Sequence, residues 1–254
     1  MQFKIINAGK SKPETFIQCL IYGDSGVGKS FLAATAPKPL ILLTEPNGQA
    51  SIMHSNEKAD LIHIGSAAML GQVIKSIKED PKRWSKYDTI VIDSLTEVQR
   101  LYRDHLTNEG TQMMKLQDWG KLAEYMRRFI RALRSLPKNI VAIALLEKNV
   151  EEDSQITEYK PAFDGKKTSG EIAQYFNFVG FLYSGQVKEK TKTNTYRYLM
   201  LEGREGILCK TTFPLTGVIK EPNIKDLFDT IRKPTKTKRT KNPQDMGTVA
   251  GEVV

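Results

Sequence analysis

The chain has 254 residues, 40% of them hydrophobic, and 38 Lys+Arg against 29 Asp+Glu leave a formal net charge of +9. That is enough apolar matter for one sizeable core, and no segment has the roughly 18 consecutive apolar residues of a membrane span or the layout of a secretory signal. The expectation is a cytoplasmic α/β domain over residues 1–231 with no membrane partner, whose charge favours polyanions without choosing among them.

Phe16 to Tyr22 is a short apolar run ending at a glycine, as a buried strand does where it feeds a tight turn. The next residues, Gly23-Asp24-Ser25-Gly26-Val27-Gly28-Lys29-Ser30, fit the phosphate-binding pattern G-x-x-x-x-G-K-[ST], and Phe31 to Ala36 continues as a helix stopped by Pro37. A strand before and a helix after are the context this pattern requires. Its glycines let the backbone take conformations closed to other residues, so that consecutive N–H groups face a phosphate chain. Lys29 brings positive charge to the β- and γ-phosphates and Ser30 a hydroxyl to Mg2+, so Gly23 through Phe31 are expected to hold ATP.

Pro39 to Thr44 is a second buried strand, and Glu45 follows it at the carboxyl edge of the sheet, where ligands of open α/β folds collect. Hydrolysis needs a group that orients or deprotonates water; Glu45 is the candidate, and a solvated turn carboxylate before Pro46 is the alternative. The spacing predicts a helix over Ala67–Glu79, ended by Pro81. Tyr87 to Asp93 is a third strand, apolar until its closing aspartate. From there Asp93 can reach magnesium directly or through water, or cap the following helix with Ser94, and the two roles can coexist.

Two long helices are predicted over Ser94–Glu109 and Asp118–Leu136, then a fourth buried strand over Asn139–Leu146. Glu147 to Ser169 is polar and too long for an ordinary connection. A helix over Glu171–Phe176 and two antiparallel strands, Phe178–Tyr183 and Tyr196–Leu201, joined by a Lys- and Thr-rich loop, complete the body. The tail, residues 232–254, carries Arg232, Lys233, Lys236, Lys238, Arg239 and Lys241 against Asp245 and Glu252, which is +4 of the total. Without apolar periodicity it is expected to be disordered, either as a solubilising appendage or as a tethered nucleic-acid contact. Cys19 and Cys209 lack zinc-site spacing and read as reduced core residues; His54, His63 and His105 share no metal-ligand spacing.

Taken together, Tyr22–Ser30, the strand ending Leu43-Thr-Glu-Pro46, and Tyr87-Asp-Thr-Ile-Val-Ile-Asp-Ser-Leu95 resemble the RecA-like recombinases. The segments Trp119–Phe129 and Leu136–Val141 resemble the small phage-encoded, core-only members that act as ATP-dependent single-strand annealing proteins, and the likeness spans about residues 16–231. It implies a RecA-like α/β core with a mostly parallel sheet and a C-terminal antiparallel hairpin, without added N- or C-terminal domains. It also implies an ATPase in which Glu45 activates the water. The partners it implies are single-stranded DNA, further copies of the chain in a filament or ring, and a single-strand-binding protein.

In that family the segment after the fourth strand touches DNA. Here it offers Lys148, Lys160, Lys166 and Lys167 for phosphates and Tyr159 and Phe163 for base stacking, though acids are interleaved and a plain surface loop is the alternative. The family commonly ends the fourth strand with an amide that senses the γ-phosphate, whereas this chain reads Ala144-Leu-Leu-Glu-Lys-Asn149, leaving Glu147 or Asn149 to substitute. Arg204, in Glu202-Gly-Arg-Glu-Gly206, falls where a cation acts on a neighbouring subunit's ATP; a solvated turn arginine is the alternative. Two rival functions share this core: a hexameric helicase-like motor, and a nucleotide-dependent switch that binds a partner and never touches DNA.

Overall fold

The computed structural model describes residues 16–45, 48–150, 156–165, 168–189 and 192–233. Its first strand, β1 (Gln18–Gly23), is buried along its whole length. It therefore sits in the middle of the sheet, parallel to β5 (Asn139–Val150) on one side and β7 (Phe178–Glu189) on the other. Beyond β5 lie β4 (Thr89–Asp93), β2 (Pro39–Leu43) and β3 (Asp60–His63), all parallel. Beyond β7 lie β8 (Lys192–Met200) and β10 (Val218–Lys220), both antiparallel to their neighbours. Two short strands leave this path: β6 (Thr157–Pro161) pairs with β5 and β9 (Lys210–Thr211) with β7. The expected α/β architecture, a mostly parallel sheet with an antiparallel C-terminal region, is the one observed.

Helices cover both faces, and the alternation of the strands divides the core between them. Ile90 and Ile92 of β4 join Leu20, Tyr22 and Ala142 beneath α3 (Ala67–Glu79), α4 (Leu95–Leu106), α5 (Leu116–Arg134) and α6 (Thr168–Ala173). Val91 turns the other way, joining Ile21, Ile41 and Val141 under α1 (Lys29–Ala33), α2 (Gln49–Ser55) and α7 (Ile224–Arg232). Each fully buried aliphatic side chain in these layers contributes about 2 kcal/mol. Helix α3 has the bounds its spacing predicts, with Leu70, Ile74 and Ile77 buried on one face and the Ser66 hydroxyl accepting from the Met69 N–H at 3.2 Å.

The structure departs from expectation where strands are polar. Much of Glu147–Ser169 is no loop: β5 runs on to Val150 and pairs antiparallel with β6, from Leu146 opposite Pro161 to Val150 opposite Thr157. Likewise the Lys- and Thr-rich segment belongs to β7 and β8, paired from Phe181 opposite Met200 to Lys188 opposite Thr193. Strands that leave the sheet edge are held by backbone hydrogen bonds and need no apolar face. Helix α6 accordingly begins at Thr168, ahead of Glu171.

Helices α2 and α7 and strands β3, β9 and β10 had no counterpart among the expected elements. Short α7 docks through Ile224, Leu227 and Phe228, and its Arg232 guanidinium donates to Asn139 Oδ1 at 2.8 Å, so the folded body includes Arg232. Tail residues 234–254 lie outside the described residues. Cys19 is fully buried and Cys209 half-buried; burial pushes the Cys19 thiol far up and that of Cys209 to about 11, so neither is a ready thiolate. Among the described residues no helix is long and apolar enough to cross a membrane.

Candidate nucleotide site

The loop Gly23–Ser30 connects the central strand β1 to α1, and each of its three glycines has a local reason. Gly26 and Gly28 hold φ at 79° and 95°, in the left-handed region. A Cβ on Gly23 would come within 2.2 Å of the Leu182 carbonyl oxygen. Lys29 is buried at 8% exposure, and its ammonium donates to the carbonyls of Gly23 at 2.9 Å and Asp24 at 2.7 Å. Burial lowers the pKa of this lysine, while the nearby carboxylates of Glu45, Asp93 and Asp24 act to raise it. Asp24, Ser25 and Gly26 are exposed at the rim, and Val27, Gly28, Ser30 and Phe31 are half-buried.

Asp93 ends β4 at 3% exposure, with the Ser30 side chain near enough to help hold its carboxyl's pKa down. Burial is the main reason its pKa is pushed up to about 6; Ser30 and Lys29 oppose the shift and Glu45 adds to it. Its Oδ2 is, among the described residues, the one buried side-chain oxygen or nitrogen without a hydrogen-bond partner. An orphaned carboxylate oxygen beside a serine hydroxyl is a donor set for a hard divalent cation such as Mg2+, so the residues present fit that ion. Gly48, which sequence reasoning did not single out, brings the chain close to the same oxygen: a Cβ there would lie 3.4 Å from Asp93 Oδ2 and 2.7 Å from Leu43 Cδ1.

Glu45 is fixed from β4. The Ser94 hydroxyl donates to Glu45 Oε1 at 2.7 Å and accepts from the Glu97 N–H at 3.3 Å. Ser94, not Asp93, is therefore the N-cap of α4, which leaves the Asp93 carboxylate to the site. Thr44 binds the two strand ends together, donating to the Asp93 carbonyl at 3.0 Å and accepting from the Ser94 N–H at 2.9 Å. The Asp93–Ser94 peptide is cis. Lys29, Ser30, Glu45 and Asp93, drawn from three parts of the sequence, thus meet at one edge of the sheet.

The remaining candidates are distributed differently. Lys148 reaches the rim of the loop, forming an ion pair with Asp24 at 3.0 Å, while Glu147 and Asn149, on either side of it, face a cavity of about 840 Å3 beside Thr96 and Gln99 of α4. Strand alternation thus puts Lys148 next to the phosphate loop in place of the two side chains proposed to substitute for the family's amide. Lys160, only 20% exposed, is paired with Glu158 at 3.1 Å and Glu147 at 3.9 Å. Phe163 is corrected outright: at 6% exposure it is a core residue and offers no face to a base. Tyr159 packs against Phe181 at 5.7 Å. Lys166 and Lys167 lie outside the described residues.

Arg204 is exposed in a turn held against β6, where the Tyr159 N–H donates to Gly206 O at 2.6 Å and the Leu208 N–H to Tyr159 O at 3.0 Å. Its charge acts on Tyr183, whose pKa it lowers against the larger effect of burial. Arg197 of β8, which sequence reasoning missed, approaches the phosphate loop of its own chain. Its guanidinium lies 4.1 Å from the Phe31 ring centroid, and a Cβ on Gly28 would meet its side chain at 3.1 Å. The segment Tyr196–Leu201 did read as a strand, but strand alternation says only that Arg197 faces away from Tyr196 and Tyr198; that this face meets the phosphate loop is set by the tertiary packing.

A sequence profile of the AAA domain family matches residues 15–213, more than half of the chain. Among solved structures, a prototypical ATPase from the type III secretion system of pathogenic bacteria is similar at 13% identity with a TM-score of 0.46. That likeness covers 66% of this chain and 52% of that one, so the chain spans about half its length. No curated protein matches the chain.

Proposed function

The chain belongs to the AAA domain family of P-loop NTPases, and from that premise we propose that Gly23–Ser30 binds ATP and Glu45 directs its hydrolysis. The observation that carries this reading is the unpartnered Asp93 Oδ2, buried beside Ser30 within the electrostatic reach of Lys29 and Glu45. Ser30 and Asp93 would hold Mg2+, which neutralises charge between the β- and γ-phosphates when bound. Lys29 exchanges its carbonyl partners for phosphate oxygens, as a mobile ammonium can at modest cost. Glu45, oriented by Ser94, accepts the proton of the attacking water.

The finer reading is a phage-type annealing or recombination ATPase that binds single-stranded DNA as a homo-oligomer, assisted by a single-strand-binding protein. Its support is the resemblance of the motifs and the net charge of +9. The described part of the β5–β6 hairpin adds little, because Lys148 and Lys160 are both ion-paired. DNA contact on this reading rests on residues such as Lys166, Lys167 and the basic tail.

Mg2+-dependent ATP hydrolysis measured with and without single-stranded DNA tests both levels. Turnover stimulated by DNA is expected. Turnover indifferent to DNA would remove the annealing reading and leave an ATPase, and ATP binding without turnover would favour the nucleotide-dependent switch.

A further inference from the structure

The geometry points to Arg197 as the residue that seats the base of the nucleotide, with Phe31 as its backing. This rests on the reading of Gly23–Ser30 as an ATP site and names the end of that site the motif leaves unassigned.

Sheet order gives the direction. Glu45 and Asp93 stand beyond β5, at the ends of β2 and β4, and Lys29 and Ser30 gather toward them. The γ-phosphate end of a bound triphosphate therefore points to that side of β1. Its sugar and base must leave on the other side, over β7 and β8. From that side Arg197 comes down onto the loop, its Nη1 3.2 Å from where a Gly28 Cβ would stand and its Cζ 4.1 Å above Phe31.

Phe31 is the residue after Ser30, so its ring marks where the loop turns away from the phosphates. A guanidinium centred over an aromatic ring is held on that side by the ring, and its other face can take a second flat group. Arg197 is only half-buried, which leaves it surface for such a group. Its backbone is also fixed, since the Glu221 N–H donates to the Arg197 carbonyl at 2.7 Å, so the side chain projects from a rigid strand. The ligand class is a nucleoside triphosphate whose base stacks on the guanidinium. Every base has a π-face, so this contact distinguishes a nucleotide from a bare polyphosphate more strongly than one base from another.

The test compares dissociation constants for Mg·ATP and for inorganic tripolyphosphate in the parent, Arg197→Ala and Arg197→Lys, with circular dichroism to confirm folding. Both variants should bind ATP about tenfold more weakly and tripolyphosphate as the parent does, because lysine keeps the charge but not the plane. Three results would overturn the assignment: equal losses for the two ligands, which would make Arg197 a phosphate ligand; unchanged ATP affinity in Arg197→Ala; or full retention by a folded Arg197→Lys. A parent that binds neither ligand overturns the P-loop reading itself, and the Arg197 assignment with it.

Discussion

Ser94 donates its hydroxyl to Glu45 across the gap between the ends of β4 and β2, at 2.7 Å. The same oxygen caps α4, so one side chain both starts a helix and aims the candidate base. Glu45→Gln keeps the shape and removes the proton acceptor. It should bind ATP normally and hydrolyse it about 100-fold or more slowly. Ser94→Ala should slow turnover less and cost about 1 kcal/mol of stability through the lost cap. Single-turnover kinetics on both variants check this, and parental rates in Glu45→Gln would move the water-activating role elsewhere.

Lys29 points into the loop, its ammonium on the Gly23 and Asp24 carbonyls. Lys29→Ala should therefore lose ATP affinity by about 100-fold or more while keeping the fold, because the head group serves phosphate and not the apolar core. Calorimetric titration with ATP measures it. Retained affinity would remove the P-loop assignment.

Asp93 makes the ligand-free site costly to keep charged, and the sign of its effect on stability follows. Its folded pKa of about 6 lies above the roughly 3.9 of an unfolded aspartate, so between these values the folded state holds the proton more tightly. The contribution to stability is greatest at low pH and is lost as pH rises through about 6. Asp93→Asn should raise the stability of the ligand-free protein by about 2 kcal/mol near neutral pH and by almost nothing near pH 4. It should also abolish Mg2+-dependent hydrolysis. Urea melts at the two pH values decide the matter, and no gain near neutral pH would mean that Ser30 and Lys29 already compensate the charge.

On the homo-oligomer reading proposed above, Arg204, exposed in a turn docked to β6, serves a neighbouring copy's ATP. Arg204→Ala should bind ATP nearly normally and hydrolyse it slowly, since such an arginine stabilises charge that develops in the transition state. Mixed with Lys29→Ala, it should regain activity at interfaces where an intact loop meets an intact arginine. If subunits exchange and the mixture stays as inactive as its components, Arg204 has no role in trans.

What the sequence determined by itself is the phosphate loop and its frame. Gly23–Ser30 is contiguous, and the strands that bear the loop, Glu45 and Asp93 are buried on both faces, so each shows as an unbroken apolar run. Helix α3 was legible because one face alone is buried, which imposes a helical period. Only the tertiary structure decided the rest. The outer halves of β5, β7 and β8 are held by cross-strand backbone bonds that leave no mark on composition. Ser94, Gly48, Lys148 and Arg197 reach the site from elements far apart in sequence, and pairing register and strand alternation set which of their neighbours point away. Phe163 shows the converse: an aromatic in a polar stretch looks available to a base, yet burying it in the core is more favourable than exposing it, and that preference appears only once the hairpin folds back over α4.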